Sequence, residues 1–149
     1  MTKTATSIET IAITCIAGRL RLLNRVITNL YDDALRPFGV KLSQGNVLAV
    51  TARLGVARPA EVCDLLQLDT STLSRTVERM VENGWLEILP DEDGRSHPFR
   101  LTEQGRRLME SVIPAWEQAQ AQARKLLGED GLRLLDAAIK RVKSAKGGP

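Results

Sequence analysis

"LDTSTLSRTVERMVENGWLEIL", residues 68–89, decides how the rest of the chain is read. Asp69 and the three hydroxyls Thr70, Ser71 and Thr72 stand where a helix begins, and such residues cap free backbone N–H groups there. Leu73, Val77, Met80 and Val81 then recur at helical spacing and mark an inward face. Ser71, Ser74, Arg75, Glu78 and Glu82 lie opposite, with Arg79 at the edge. The spacing predicts a helix over 70–83, stopped by Gly84. "WLEIL" follows as a short alternating strand.

Upstream, Pro59 opens "PAEVCDLLQ", a short helix with proline at the first position. Gln67-Leu68-Asp69 is then a tight turn between two helices. Downstream, "PDEDGRS" (90–96) is a turn-rich loop, and "PFRLT" (98–102) is a second strand. Helix, tight turn, helix, strand, loop, strand is the order of a winged helix-turn-helix. In that motif the second helix enters the major groove and presents its N-terminal residues to base edges. Ser and Thr are short, so they permit close approach and can donate or accept. Arg75 has the reach to pair with guanine or clamp a phosphate. Arg95, at the loop tip, is placed to enter a minor groove, and Asp93 is expected to hold it by a salt bridge. The candidate DNA contacts are therefore Thr70, Ser71, Thr72, Ser74, Arg75, Arg79, Asp93 and Arg95. "DTSTLSR" alone is an ordinary cap-rich helix start, and "DEDGRS" alone an ordinary solvated turn. Their combination, in this order and spacing, points to DNA.

The remaining elements are long. Residues 1–5 read as frayed. "TSIE" reads as a capping box with Thr6 as N-cap and Glu9 three residues on. One helix of about 30 residues, roughly 45 Å, is expected to run from there until Pro37 and Gly39 end it. Ser43 is expected to cap a helix that Gly55 stops. Thr102 caps a long helix through "EQGRRLMESVIPAWEQAQAQARKLL", with a kink expected at Pro114. Gly128 breaks it, a last helix spans about 129–143, and "AKGGP" is a tail. The fold class is mainly α, a winged helix-turn-helix carrying long N- and C-terminal helices. A first helix this long and broadly apolar suggests a dimer scaffold, so residues 1–40 and 106–149 are expected to form a helical dimerisation region and residues 41–105 the DNA-binding lobe.

Composition narrows the function. The chain has 149 residues and a net charge of +3, but residues 41–107 hold nine Lys/Arg against ten Asp/Glu, so a nucleic-acid surface there is a local patch. Aromatics at 3% leave little for base-stacking platforms. One histidine, no metal-ligand spacing, no glycine-rich phosphate loop and no G-x-S-x-G elbow argue against an enzyme. No metal or other cofactor is implied. "IETIAITCIAG" is apolar, but it contains Glu9 and runs into Arg19, Arg21 and Arg25, unlike a leader. No run reaches membrane-spanning length. Two distant cysteines, Cys15 and Cys63, suit a reducing cytoplasm. Cys63 reads as core filler.

At residues 68–105, "LDTSTLSRTVERMVENGWLEILPDEDGRSHPFRLTEQG", the chain resembles the MarR family of winged-helix transcriptional regulators. The likeness extends through "LSQGNVLAVTARLGVARPAEVCDLL", the first helix "CIAGRLRLLNRVITNLYDDALRPFGV" and the C-terminal helices. Its most specific part is Asp93-Gly94-Arg95 followed by Leu101-Thr102-Glu103-Gln104-Gly105. Many members carry a second arginine where this chain has Gly94. The resemblance implies a homodimer joined by residues of about 8–36 and 108–143. It also implies a palindromic operator read in successive major grooves about 34–36 Å apart, and a regulator, often a repressor, released by a ligand or an oxidant. For a small aromatic or anionic effector the candidates are Arg19, Arg25, Tyr31, Met109 and Trp116. Peroxide-sensing members carry a cysteine on the first helix, which makes Cys15 a candidate redox residue. The single tyrosine, Tyr31, is on the same predicted helix rather than a facing one. The other reading left open is a winged-helix dimer acting only on proteins, which the near-neutral middle segment favours.

Overall fold

A computed structural model describes residues 6–147. The expected fraying at 1–5 and the last two residues of the tail lie outside them. In chain order the elements are α1 (Ile8–Thr14), α2 (Ile16–Leu35), a 3-10 turn (Arg36–Phe38), α3 (Leu42–Leu54), α4 (Pro59–Leu66), α5 (Thr70–Glu82), β1 (Leu86–Ile88), β2 (Phe99–Leu101) and α6 (Glu103–Lys146). The class is the mainly helical one expected. No helix among the described residues is long and apolar enough to cross a membrane.

Two clusters hold the chain together. The larger gathers Val47 and Leu48 of α3, Val62 of α4, Leu73, Val77 and Met80 of α5, then Trp85, Leu86 and Phe99. Leu108 and Met109, from the first turns of α6, pack against it. β1 and β2 pair antiparallel, with Leu86 opposite Leu101 and Ile88 opposite Phe99. Ala57 adds a third rung: its N–H donates to the Phe99 carbonyl at 2.8 Å, and the Phe99 N–H returns the bond at 2.9 Å. The smaller cluster joins α2 to α6 through Tyr31, Ala119 and Ala123.

Gly105 explains the Leu-Thr-x-x-Gly pattern. A Cβ there would lie 2.1 Å from the Trp85 carbonyl oxygen, so only glycine lets α6 start against the end of α5. Thr102 completes the joint. Its hydroxyl donates to the Gly84 carbonyl at 2.5 Å and accepts from the Gly105 N–H at 3.0 Å.

Four local expectations are corrected. The first helix is interrupted at Cys15, whose ψ of 115° is not helical. The Ile- and Thr-rich run before it has low helix propensity, and the Thr14 hydroxyl bonds back to the Thr10 carbonyl at 2.6 Å. Ser7, not Thr6, is the N-cap of α1, accepting from the Thr10 N–H. Ser43 lies inside α3 and does not cap it. Asp32 reaches over from α2 to accept the Leu42 N–H at 2.7 Å, and Gln44 accepts the Lys41 N–H at 3.0 Å. In α6 the backbone leaves helical dihedrals at Gly128 (φ 69°, ψ 166°), where the break was expected, but the last segment runs on to Lys146 rather than ending near 143.

Candidate nucleic-acid interface

The start of α5 is organised by Asp69. Its Oδ1 accepts the Thr72 N–H and the Ser71 hydroxyl, both at 2.7 Å, and its Oδ2 accepts the Thr72 hydroxyl at 2.8 Å. The Thr72 amide, then the Ser71 and Thr72 hydroxyls, with a smaller pull from Arg75, lower the Asp69 carboxyl from 3.8 to about 2. Ser71 and Thr72 are thus turned to the cap, which separates them from the other two hydroxyls. Thr70 and Ser74 face a cleft between α5 and the 90–98 loop. Arg75 and Arg79 are exposed, and among the described residues neither forms an ion pair. Two guanidiniums on the open face of a helix with a short-residue first turn suit a polyanion.

The loop between β1 and β2 is held by Asp91, not Asp93. Asp91 Oδ2 accepts the Ser96 N–H and the Ser96 hydroxyl, both at 2.8 Å, and the Arg95 N–H at 3.2 Å. The Ser96 amide and hydroxyl, with the Arg95 amide and the charge of Arg58, hold the Asp91 carboxyl below its ordinary value. The Gly94 N–H bonds the Asp91 carbonyl, and Gly94 is left-handed at φ 62°, which is why glycine rather than arginine suits this position. Among the described residues no ion pair joins Asp93 to Arg95. Asp91 lies three residues past the end of β1 and closes the turn by accepting from Arg95 and Ser96 on its far side. The sequence reading missed Asp91 and also missed Arg58, whose Nη1 donates to the Ser96 hydroxyl at 2.5 Å across 38 positions of chain. An aspartate opening a Gly-containing turn is a signal for the first. Nothing local marks the second.

The cleft between α5 and the loop has a volume of about 650 Å³. Leu73, Val77, Ile88 and Phe99 form an apolar floor, and Arg58 and Arg95 stand at its edge. The residues expected to bind an effector are elsewhere and are not brought together. Tyr31 is buried and donates to Gln120 Oε1, and burial raises its phenol, a shift that Arg124 opposes. Met109 packs on the lobe core, Trp116 is exposed, and Arg19 donates to the Ile13 carbonyl at 3.3 Å across the helix break. Arg25 is exposed on α2. Cys15 is exposed at the break, and Cys63 is half-buried against the core, as expected of a filler.

A sequence model of the MarR family matches residues 38–96, which run from the 3-10 turn to the end of the Asp91 loop. Over those residues the chain is similar to the MarR family. Members of that family are transcription regulators, not enzymes. The chain is 31% identical over 88 residues to the uncharacterised HTH-type transcriptional regulator YwoH of Bacillus subtilis strain 168. That match covers 59% of this chain and 64% of YwoH, a little under two thirds of the relative's length. Among solved structures, a mutant MarR from Escherichia coli complexed with operator DNA superposes with a TM-score of 0.80 at 24% identity. It covers 91% of this chain and 99% of that one, and it shares the fold. The M. tuberculosis transcriptional regulator MosR in complex with DNA gives a TM-score of 0.76 at 27% identity, over 90% and 99% of the two chains.

Proposed function

We propose that this protein is a homodimeric, sequence-specific DNA-binding regulator of the MarR family, a repressor of a palindromic operator that a small molecule releases. One observation carries the reading: α5 turns Ser74, Arg75 and Arg79 outward beside a loop that carries Arg95. In this reading α5 is the recognition helix and the loop is the wing. Ser74 and Arg75 read base edges, Thr70 and Arg79 hold phosphates, and Arg95 enters the minor groove. Ser71 and Thr72 act through the cap, and Asp93 serves no contact. The two solved relatives in DNA complexes support the docking mode.

Dimerisation is supported by the apolar residues left in water on α1, α2 and the end of α6, such as Ile8 (82% exposed), Ile16 (73%) and Leu134 (71%). A surface this apolar marks an interface. Release by a ligand is supported by the cleft between α5 and the wing, since a molecule seated there competes with the DNA that the same residues face. The cytoplasm, where the DNA is, is the compartment this function requires.

The test is fluorescence anisotropy on a duplex from upstream of the protein's own gene, against a scrambled duplex, through a salt series. Selective binding with log affinity falling linearly in log salt is expected. Equal weak binding to both, followed by a genome-wide selection that returns no preferred site, removes the sequence-specific reading. A second reading has its own observation: Cys15 is exposed at a helix break, open to oxidants. If peroxide releases the DNA from the wild type and not from Cys15→Ser, that reading replaces the ligand.

A further inference from the structure

We propose that Asp91, Ser96 and Arg58 form a clasp that sets the direction of the wing, and that they are the positioning residues through which Arg95 meets DNA. The proposal rests on the DNA-binding reading above. The wing tip has little else to hold it. Residues 92–95 are exposed, and the β1–β2 ladder ends with the Leu89 N–H bonding the Pro98 carbonyl at 2.8 Å. Beyond that rung the loop would be free to swing, at a conformational cost on binding. Asp91 removes that freedom from inside the loop by accepting the backbone N–H groups of Arg95 and Ser96 at one oxygen. It thereby fixes the peptide planes on either side of the Arg95 Cα. Ser96 passes the constraint outward. Its hydroxyl donates to Asp91 at 2.8 Å and accepts from Arg58 Nη1 at 2.5 Å.

Arg58 is the N-cap of α4, in extended conformation before Pro59. Both ends of Arg58 are therefore anchored. Its backbone joins Ala57, which is paired to Phe99, and its carbonyl accepts the Val62 N–H at 3.1 Å. The clasp thus ties the wing to the first helix of the helix-turn-helix, not merely to its own strands. It runs from guanidinium through a neutral hydroxyl to a carboxylate, so each of its two side-chain hydrogen bonds has one ionised partner, which makes it stronger than a bond between neutral groups. Among the described residues Arg95 bonds only through its backbone N–H, so its guanidinium stays available to the groove.

The clasp makes two separable predictions, one with DNA and one without. In the free protein, amide hydrogen exchange at Arg95 and Ser96 should quicken about tenfold in Ser96→Ala, which removes Asp91's hydroxyl donor and Arg58's acceptor together. Ser96→Thr keeps the hydroxyl and should restore the slow rate. On operator DNA, Asp91→Ala should weaken binding about tenfold, while Arg95→Ala combined with Asp91→Ala should be no weaker than Arg95→Ala alone. Unchanged exchange in Ser96→Ala overturns the clasp. Additive losses in the double variant overturn its action through Arg95, since the two residues would then work independently. A wild type that binds no duplex overturns the DNA reading and this role with it, whereas a wild type that binds while the variants behave additively overturns the clasp alone. Thermal melts of each variant check that the lobe stays folded.

Discussion

Between Val40 and Phe99 the chain buries eleven apolar side chains against one another, while residues 6–26 are exposed throughout. Isoleucine, leucine and valine are as dense in the second stretch as in the first. The difference lies in what faces them. In the lobe, Gly55, Gln67 and Gly84 turn the chain sharply, each with positive φ, so that three short helices and a hairpin close around Leu48 and Met80. Along α1 and the first turns of α2 the chain does not fold back, and the apolar stripe has no opposing surface of its own. The hydrophobic effect stabilises only area that is removed from water. One region is finished by its own sequence, and the other leaves an apolar stripe that the proposed dimer would cover.

That contrast can be broken most severely by charge on the open stripe. Leu20→Asp with Leu134→Asp should leave only monomer by sedimentation and lose operator binding, while Trp85 fluorescence still reports a folded lobe. A retained dimer would show that the interface is elsewhere. Next comes the closed core. Phe99→Ala should lower stability by about 3–5 kcal/mol in denaturant titration, whereas Ile16→Ala at dilutions below dimerisation should change it by less than about 0.5 kcal/mol. Comparable losses from the two would erase the distinction between the regions. Arg75→Ala should leave melting unchanged and cost about 1–3 kcal/mol of operator affinity if it reads a base. A uniform loss on all sequences with a shallower salt slope assigns it to phosphate. Asp32→Ala, which uncaps α3 from the other region, should cost about 1 kcal/mol, seen as faster amide exchange at Leu42. The smallest effect is in acid. Because the Asp69 carboxyl lies at about 2 when folded, below its ordinary 3.8, its cap contributes fully above 3.8 and is lost as pH falls through about 2. Melting curves of the wild type and Asp69→Asn should therefore converge between pH 4 and 2, and a gap that stays constant would remove the cap.

Most of this was legible in the sequence, and the unread parts share a cause. Helix starts and stops at Pro59, Gly55, Asp69, Gly84 and Thr102 depend on residues within a turn of the boundary, and each lies where its local chemistry puts it. The inward face of α5 followed from spacing alone. By contrast, the cap of α3 comes from Asp32, ten positions away and on another helix. The hold on the wing comes in part from Arg58, far upstream. The hydroxyls of Ser71 and Thr72 looked free because the sequence shows a residue's type but not which way its hydrogen bond points. The effector candidates Arg19, Arg25, Tyr31, Met109 and Trp116 were chosen by type, and the single chain does not bring them together, because convergence in space is a property of the packed chain.

α6 begins at Gly105's joint with Trp85 and runs unbroken to Gly128, a rod of 25 residues or about 37 Å at 1.5 Å per residue. In the proposed dimer its far end is fixed in the interface and its near end is fixed to the DNA-reading lobe. A rod held so acts as a lever. A tilt of about 5° at the interface moves the lobe by about 3 Å over that length, a large fraction of the width of a base-pair step. Because Gly105 leaves no side chain to slip between α6 and Trp85, the motion is passed on without slack. In that proposed dimer the distance between the two copies of α5 would therefore be an adjustable quantity, and anything that re-packs the dimer helices would change which operators the pair could span.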